Sequence, residues 1–505
     1  MSVARIASRA QLGLHAPLVH VEVHLGAGLP IFQIVGLPAA GVKESKERVR
    51  AALTNCGFEF PAGRIVVNLA PADVPKEGGR FDLPIALAIL FASGQLKASE
   101  DALAKIEFYG ELALGGELKP VKALLLAGAH AAQANHDLIV PADNVDEARI
   151  VARSRVFGAK HLNEVCAHLL GTNALQRSSA EPVPLRERIE TLDLADVVGQ
   201  LQAKRALMIA AAGCHSLLLI GPPGSGKSML ARRLPGLLPP LSIDEALEVA
   251  TIASASALGF DERQFGVRPF RSPHHTASTA ALVGGGSNAG PGEISLAHRG
   301  VLFLDEFPEF DRRALEALRE PLETGVVCVS RVAVQAEYPA EFQLVVAMNP
   351  CPCGYWGDVS ERCRCAPGRI SEYRARVSGP LLDRIDLRIT VPTLRSEELC
   401  QNVEGGQSTA DVAAAVRIAR ERQLARSGKL NSRLSIQDLG AHCRLDAAGE
   451  RLFWQSQARL GISARSYHRT LRVARTIADL AASERIEPMH VAEALQLKRG
   501  FETGP

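Results

Sequence analysis

The sequence predicts an α/β protein made of three successive regions, of which the central one contains a parallel sheet. Short alternating strands are mixed with helical stretches near the N-terminus, and from "LDLADVVGQ" onward apolar strands alternate with helices. After about residue 393 the strand signals end, and segments such as "DVAAAVRIARERQLARSG" show helical spacing. The 505 residues are enough for about three domains at roughly 100–200 residues each.

Composition indicates a globular protein, with 47% hydrophobic and 22% charged residues. The net charge of +2 does not by itself indicate a nucleic-acid partner, but it is compatible with a basic surface confined to a channel. No apolar run reaches the roughly 18 residues of a membrane span, and the N-terminus lacks the apolar segment of a signal peptide. We therefore expect a cytoplasmic protein without a membrane partner.

The first region, residues 1–172, is expected to be an α+β domain. In "LVHVEVHLG" apolar residues alternate with His20, Glu22 and His24, which predicts a half-buried strand. The runs "IFQIVGL" and "RIVVNLA" predict further strands, and "GVKESKERVRAALTNCG" predicts a helix. A polar segment rich in Ser, Pro and charge follows, and residues 173–190 are the predicted linker.

A phosphate-binding loop is the strongest signal in the chain. In "SLLLIGPPGSGKSML" four apolar residues lead into the pattern G-x-x-x-x-G-K-S. Lys227 is expected to reach the β and γ phosphates of ATP, and Ser228 is expected to ligate Mg²⁺. The predicted ATP-binding residues are Gly221, Pro222, Pro223, Gly224, Ser225, Gly226, Lys227 and Ser228.

Two further apolar runs end in polar residues suited to ATP hydrolysis. "RGVLFLDEFPEF" delivers Asp305, expected to hold Mg²⁺ through water, and Glu306, expected to polarise the attacking water. "FQLVVAMNP" ends at Asn349, which can hydrogen-bond that water and the γ-phosphate. An Asn-Pro pair is also an ordinary turn signal, and both interpretations can hold.

An arginine suited to act on ATP in a neighbouring subunit lies in "RARVSGPLLDRIDLRI". Arg384 follows a helical stretch and precedes a strand, so it is the predicted arginine finger. A surface ion pair is the alternative for Arg384, and Arg374 and Arg376 are alternatives for the role.

Four cysteines lie within fifteen residues of "MNPCPCGYWGDVSERCRCAPG". Four thiolates predict a structural Zn²⁺ site, although C-x-C spacing departs from the usual spacer; an iron–sulfur cluster, a redox disulfide and bare thiols are alternatives. The loop closed by these four cysteines, called the clip below, could brace the segment between Asn349 and Arg384, or it could present Tyr355 and Trp356 to DNA. The predicted ligands are Cys351, Cys353, Cys363 and Cys365.

The ordered motifs resemble those of AAA+ ATPases. "FRSPHHTASTAALVGGGSNAGPGEISLAHRGVLFLDE" and "LREPLETGVVCVSRVAVQAEYPAEFQLVVAMNP" resemble the magnesium-chelatase-like subgroup, which has an insert before the Asp-Glu strand and a β-hairpin before the Asn strand. The resemblance implies an AAA+ core over residues 191–392, with Val197 and Val198 at the ATP site, and a helical lid over 393–505. "SARSYHRTLRVARTIADL" is similar to the lid helix, which implies that Arg465 is the second-sensor arginine, with Arg469 as the alternative.

Nearly the whole chain resembles the ComM/YifB type of bacterial proteins. This resemblance implies a hexameric, ATP-driven helicase that promotes DNA branch migration during natural transformation, with recombination proteins as possible partners. In a ring, the Gly-rich loop at 282–292 and the hairpin around "SRVAVQAEY" would point into the channel. Arg331 is the residue expected to contact a DNA phosphate there.

The N-terminal region resembles the protease domain of Lon, a ribosomal S5 domain 2-like fold, through "PKEGGRFDLPIALAIL" and "GELALGGELKPVKALLLAGAHAA". That domain uses a Ser–Lys dyad. Here Arg80 stands in the place of the Ser and Leu125 in the place of the Lys, with Lys122 nearby but out of register. We therefore expect a non-proteolytic scaffold or DNA-guiding collar.

Three other functions share these motifs. A chelatase motor subunit remodels a partner protein, but a Lon-like domain and a cysteine clip are not expected in it. The loss of the Ser–Lys dyad argues against an ATP-dependent protease. The near-neutral net charge is compatible with a chaperone that remodels proteins and does not bind DNA.

Overall fold

A computed structural model provides the structure of the protein. It describes residues 3–98, 103–152, 155–179, 181, 183–186, 192–285, 289–330, 335–358, 362–394, 407–460 and 464–498. No helix in these ranges is long and apolar enough to cross a membrane.

The N-terminal region is built on a seven-stranded mixed sheet. Its strands are β1 (Val3–Arg9), β2 (Leu18–Gly26), β3 (Ile31–Val35), β4 (Arg64–Ala70), β5 (Ile106–Phe108), β6 (Glu111–Leu112), β7 (Leu118–Lys119), β8 (Asp137–Pro141) and β9 (Val156–Ala159). Its helices are Ala40–Asn55, Asp82–Ala92, Leu124–Gln133, Val145–Ala152 and Leu162–Leu169. The order in the sheet is β3-β4-β2-β1-β5-β8-β9, and β6 and β7 form a separate ribbon.

The predicted alternation along β2 is present in the structure. Val19, Val21 and Val23 are fully buried, whereas His20 and Glu22 on the other face are half-buried. The strand pairs antiparallel with β1 and β4, so its apolar face lies over the helix Asp82–Ala92 in one continuous core.

The central region is built on a five-stranded sheet. Its strands and two accompanying ribbons are β10 (Leu217–Ile220), β11 (Phe270–Arg271), β12 (Gly284–Gly285), β13 (Gly290–Pro291), β14 (Val301–Leu304), β15 (Val326–Ser330), β16 (Gln335–Pro339), β17 (Gln343–Met348) and β18 (Leu387–Thr390). Its helices are Leu201–Gly213, Lys227–Leu237, Ile243–Ser254, Thr279–Val283, Glu293–Leu296, Arg312–Glu316, Pro321–Thr324, Pro367–Ala375 and Gly379–Leu382.

This central sheet is parallel and covered on both faces, as predicted. The strand order is β11-β14-β17-β10-β18, and every neighbouring pair is parallel. Leu217 and Leu219 of β10 pack into one core, whereas Leu218 and Ile220 pack into the core of the opposite face. All four side chains are buried, which is typical of a parallel strand between two layers of helices. The predicted hairpin is the antiparallel pair β15–β16.

The described residues of the C-terminal region are mainly helical, with five α-helices. These are Thr409–Ser427, Ile436–His442, Ala447–Leu460, Ala464–Leu480 and Pro488–Gln496. Their apolar residues share one core with the helices Leu201–Gly213 and Lys227–Leu237, so this helical region packs directly against the nucleotide-binding half of the central sheet.

The N-terminal region docks on the central region around the helix Ile243–Ser254. Leu125 packs in a cluster with Leu241, Ala246, Ala250 and Phe265. In addition, Lys122 Nζ donates to the carbonyl of Ala257 at 2.6 Å, and Ser254 Oγ donates to Glu147 Oε1 at 2.6 Å.

The two dyad positions inferred from the Lon resemblance lie at this contact. Arg80 is buried and its Nη2 donates to the carbonyl of Lys122 at 2.5 Å. Leu125 is fully buried under residues of the central region. The described positions therefore place a guanidinium and an isobutyl group where a nucleophile and its base would be needed.

The described part of the predicted linker follows the surface of both regions. Arg177 forms an isolated bridge with Phe157, and Arg186 N donates to the carbonyl of Phe265 at 2.7 Å. Residues 180, 182 and 187–190 lie outside the described ranges. The predicted domain boundaries stay predictions.

Candidate ATP site

The phosphate loop folds between β10 and the helix that begins at Lys227. Gly224 and Gly226 have φ values of +77° and +94°, a region that side chains with a Cβ avoid. At Gly221 a Cβ would lie 2.2 Å from the carbonyl oxygen of Val391, so only glycine fits there. The loop thus turns back over the sheet edge, and its N–H groups and the helix N-terminus face one cleft.

Lys227 is held at the centre of this cleft. Its Nζ donates to the carbonyls of Gly221 and Pro222 at 2.7 and 2.8 Å and lies 3.3 Å from Asn349 Oδ1. Burial lowers the pKa of Lys227, and the nearby negative charge of Asp305 opposes that shift. These partners are neutral acceptors, whereas phosphates are anionic and bind an ammonium more strongly, so the phosphates of ATP would compete for it effectively.

The predicted magnesium ligands lie together. Ser228 Oγ donates to Asp305 Oδ2 at 2.6 Å, across the gap between the loop and the end of β14. A hydroxyl and a carboxylate beside a phosphate loop are oxygen ligands of the kind that Mg²⁺ takes along with waters and phosphates. The residues present therefore fit a magnesium ion held by Ser228 and Asp305.

The strand order brings Asn349 between the loop and the two carboxylates. Strand β17 lies between β10 and β14, and Asn349 directly follows β17. Its contact with Lys227 shows that it is both the residue before Pro350 and a side chain of the cleft. The two interpretations of this Asn-Pro pair are thus compatible.

Glu306 occupies an unusual backbone position at the mouth of the cleft. Its φ is +52°, and its N–H donates to Asp305 Oδ1 at 2.9 Å. Its carboxylate Oε2 lies 2.8 Å from His275 Nδ1. Nothing in the sequence motif around Asp305 and Glu306 indicates this contact with His275.

The cleft between these elements has a volume of about 680 Å³. It is lined by Pro223, Gly224, Ser225, Gly226, Lys227, Ser228, Met229, Ser272, Pro273, His274, His275, Asp305, Glu306 and Asn349. This volume is within the range of small-molecule sites.

Val197 and Val198 lie in the segment that leads to this cleft. Val197 is buried in the core and Val198 is half-buried. Gln200, two residues further on, reaches the loop: its Nε2 lies 3.3 Å from the carbonyl of Ser225. The segment therefore borders the phosphate loop, although neither valine is among the cleft-lining residues named above.

Arg384 lies at the opposite edge of the sheet from the phosphate loop. It precedes β18, and its carbonyl accepts a hydrogen bond from Ser216 Oγ, just before β10, at 2.9 Å. The loop follows the other end of β10, whose four residues span about 13 Å. Arg384 is therefore directed away from the ATP cleft of its own chain.

Arg465 lies beside Arg384 and not beside the phosphate loop. The Nη2 atoms of both arginines contact Glu323 Oε1, at 2.9 and 2.7 Å. Arg469 donates to Asp386 Oδ1 and to the carbonyl of Arg384, each at 2.7 Å. All five side chains line one cavity of about 680 Å³.

The two alternative arginines make contacts elsewhere. The Arg374 guanidinium lies 4.2 Å from the centre of the Trp356 ring, and Arg376 pairs with Glu309 at 2.8 Å. Arg331 lies outside the described residues.

The four predicted zinc ligands converge. Their Sγ atoms all lie within 4.8 Å of one another, with pairs at 3.3, 3.7 and 3.8 Å. A tetrahedron with metal–sulfur bonds of about 2.3 Å has edges of about 3.8 Å, so the cluster fits Zn²⁺ closely. A hydrogen bond from the N–H of Tyr355 lowers the pKa of the Cys353 thiol to about 6, which favours the thiolate that binds metals.

The phosphate loop, the two carboxylates after β14, Asn349 and the helical region packed on the core define an AAA+ ATPase. Residues 193–399 match the family model "Magnesium chelatase, subunit ChlI", residues 21–144 match "Subunit ChlI of Mg-chelatase", and residues 406–498 match "Magnesium chelatase, subunit ChlI C-terminal". The chain belongs to this magnesium-chelatase-like AAA+ family, in the group that contains YifB and ComM.

Similarity to individual relatives extends over nearly the whole chain. The chain is 48% identical over 498 residues to the uncharacterized protein YifB of Salmonella typhimurium, covering 99% of this chain and 97% of that protein. It is 47% identical over 498 residues to the competence protein ComM of Haemophilus influenzae, covering 98% and 97%. The magnesium-chelatase 67 kDa subunit of Heliobacterium mobile is 26% identical over 206 residues, covering 35% and 30%.

These matches bear on the chelatase alternative in two ways. The model that matches residues 21–144 is itself named after the chelatase subunit, so the N-terminal region does not separate the alternatives as expected from sequence. The extent of similarity does separate the relatives, because the chelatase subunit aligns with only about a third of this chain.

Proposed function

We propose that the chain is an ATP-driven, ring-forming DNA motor that promotes branch migration of recombination intermediates, as in natural transformation. The observation that supports this proposal most directly is that the residues expected to act on ATP lie at opposite edges of the central sheet. Lys227, Asp305 and Glu306 are at one edge, whereas Arg384 is at the other. Such a chain completes its site only against a second copy, and a closed ring of copies, such as a hexamer, supplies every site.

The proposed chemistry assigns one task to each group. Lys227 binds the phosphates, and Ser228 and Asp305 hold Mg²⁺, which supplies charge neutralisation at the transferred phosphoryl group. Glu306 accepts a proton from the attacking water, and Asn349 orients that water. Arg384 of a neighbouring subunit stabilises the charge that develops in the transition state.

The DNA part of the proposal is supported by similarity to a competence protein over almost the whole length of both chains. In a ring, the hairpin β15–β16 and the ribbon β12–β13 would face the channel and contact DNA. Arg331, which follows the last residue of β15 in the sequence, is the proposed phosphate contact. Such a motor would act in the cytoplasm, alongside recombination proteins.

A resident Zn²⁺ completes the proposal. Cys351, Cys353, Cys363 and Cys365 would hold it in a closed, four-ligand site, which is the structural type. The ion would stabilise the turn that follows Asn349 and take no part in hydrolysis.

The test is the ATPase rate of the purified chain without DNA and with single-stranded, duplex and four-way-junction DNA. Glu306→Gln, which keeps the shape but loses the base, is the blank. We expect strong stimulation by DNA, strongest with the four-way junction. A wild-type rate indifferent to every DNA would contradict the DNA proposal and favour a protein-remodelling motor of the chelatase type.

A further inference from the structure

We infer that Trp454 is the main apolar contact between copies of this chain in the proposed ring. The residue lies on the helix Ala447–Leu460 and is 56% exposed, although burial of so large an apolar side chain is favourable. Trp, Tyr and Arg side chains are typical of the few residues that carry most of the affinity of protein interfaces. The inference rests on the proposed function and adds a contact surface to it.

The Trp454 ring is held in one orientation by other aromatic rings. It is stacked on the Tyr467 ring, with centres 6.0 Å apart and planes at 15°. It also meets the buried Phe453 ring edge-on, with centres 6.0 Å apart. Phe453 and Tyr467 contact each other as well, at 4.7 Å between ring centres. An exposed side chain that is already rigid loses little conformational entropy when a partner covers it, which favours association.

This aromatic surface is continuous with the cavity that contains Arg384 and Arg465. The His468 ring lines that cavity, and its centre lies 5.4 Å from the centre of the Tyr467 ring. Under the proposed function Arg384 acts on ATP bound to a second copy, so the cavity must face that copy. Trp454 is only two ring contacts away from the cavity, and it would therefore lie at the same interface.

Charge complementarity also favours a second copy as the partner. The cavity that contains Arg384 is lined by five arginines and two carboxylates, whereas the ATP cleft is lined by one lysine and two carboxylates. Bound ATP would add further negative charge to the cleft. Opposite charges of this kind orient the two edges of neighbouring copies towards each other.

The cleft side of the chain offers an apolar surface for Trp454. Met229 lines the ATP cleft and is 49% exposed. Leu201 is 78% exposed, and it directly follows Gln200, which contacts the phosphate loop. An aromatic ring packs favourably on a thioether and on aliphatic groups, so Trp454 of one copy would cover Met229 and Leu201 of the next. This contact joins different surfaces of the two copies, which is the type that closes a ring.

The first experiment measures ring assembly of the full-length protein by sedimentation velocity over a range of concentrations. A non-hydrolysable ATP analogue and Mg²⁺ are present, with and without four-way-junction DNA. Trp454→Ala should raise the concentration for half-assembly at least about ten-fold, the usual effect of losing a central interface residue, with unchanged binding of the analogue. Leu201→Ser should weaken assembly as well. Leu29→Ala, at an exposed apolar residue of the N-terminal region, is the matched control.

The second experiment uses Trp454 as its own reporter. The chain has two tryptophans, so Trp356→Phe leaves Trp454 as the single source of tryptophan emission. When rings form, the emission should shift to shorter wavelength and quenching by acrylamide should fall at least about two-fold, because an interface centre excludes water.

Three outcomes would overturn the inference. Wild-type assembly of Trp454→Ala would show that the residue contributes no affinity between copies. Unchanged quenching in assembled rings would show that Trp454 stays exposed. A shift in emission when DNA binds to chains that remain monomeric would assign Trp454 to base stacking. In each case rings of the wild type leave the proposed motor standing, whereas a wild type that forms no ring under either condition would reject both.

Discussion

At the scale of single residues, Lys227 is the group on which the proposed ATP site depends. The residue is 8% exposed, and its ammonium is held by two carbonyls of its own loop and by Asn349. No neutral side chain could supply a positive charge at this point of the cleft. The phosphates of ATP carry the opposite charge, so this one contact is charge-assisted.

Lys227→Ala should abolish ATP binding in a direct equilibrium measurement, with affinity reduced at least about 100-fold, or about 2.7 kcal/mol. The matched control is Arg232→Ala, which removes an exposed positive charge from the same helix. Wild-type affinity in Lys227→Ala would refute the assignment of the phosphate loop.

Residues that are adjacent in sequence could be predicted, and residues that meet only in the fold could not. The loop from Gly221 to Ser228 is a continuous pattern, so its chemistry is visible in the sequence alone. The pairing of His275 with Glu306, and the shared contact of Arg384 and Arg465 with Glu323, join segments far apart along the chain. Their geometry depends on strand order and helix packing, which residue spacing does not specify.

At the scale of elements, the four-cysteine clip is packed directly against the phosphate loop. Gly354 has a φ of +88°, and a Cβ there would lie 2.5 Å from Pro223 Cδ. Arg374 contacts the other side of the clip. Its Nε donates to the carbonyl of Pro350 at 3.2 Å, and its guanidinium lies over the Trp356 ring. Of the two roles left open by the sequence, these contacts favour the brace of the segment after Asn349, which here also rests on the phosphate loop.

Metal analysis should find about one zinc per chain, lost in Cys363→Ser. Because the turn of the clip packs on Pro223, loss of the metal should also weaken ATP binding, by about ten-fold. Cys328→Ser, on the exposed face of β15, is the control for removing a thiol outside the cluster. A folded wild type without metal, or unchanged ATP affinity after metal loss, would contradict the brace.

Elements whose apolar residues repeat regularly could be predicted from the sequence, whereas the packing of the N-terminal region against the central region could not. The two-residue alternation of β2 and the continuous apolar run of β10 specify one-sided and two-sided burial, and the structure has both. Leu125, by contrast, was considered only as a lost catalytic position. Its packing against Leu241 and Phe265 arises from a surface of the central region that has no periodic signal.

At the scale of the whole molecule, the chain carries two cavities at opposite edges of the central sheet. One is the ATP cleft, and the other contains Arg384 and Arg465 and has a similar volume. The N-terminal region is fixed to the central region by Leu125, Lys122 and Glu147, so it should move with the ATPase during each cycle. A ring that joins the two edges would complete each site with groups from two chains.

Subunit mixing tests this central claim most directly. Lys227→Ala chains should not bind ATP but still offer Arg384, whereas Arg384→Ala chains should bind ATP but lack the proposed arginine finger. Each variant alone should be inactive, so the measurement is ATP hydrolysis of the two variants mixed in the presence of four-way-junction DNA. The account predicts that the mixture recovers activity, because some interfaces then join an intact cleft to an intact Arg384. A mixture as inactive as its components, with mixed rings shown to form, would contradict it.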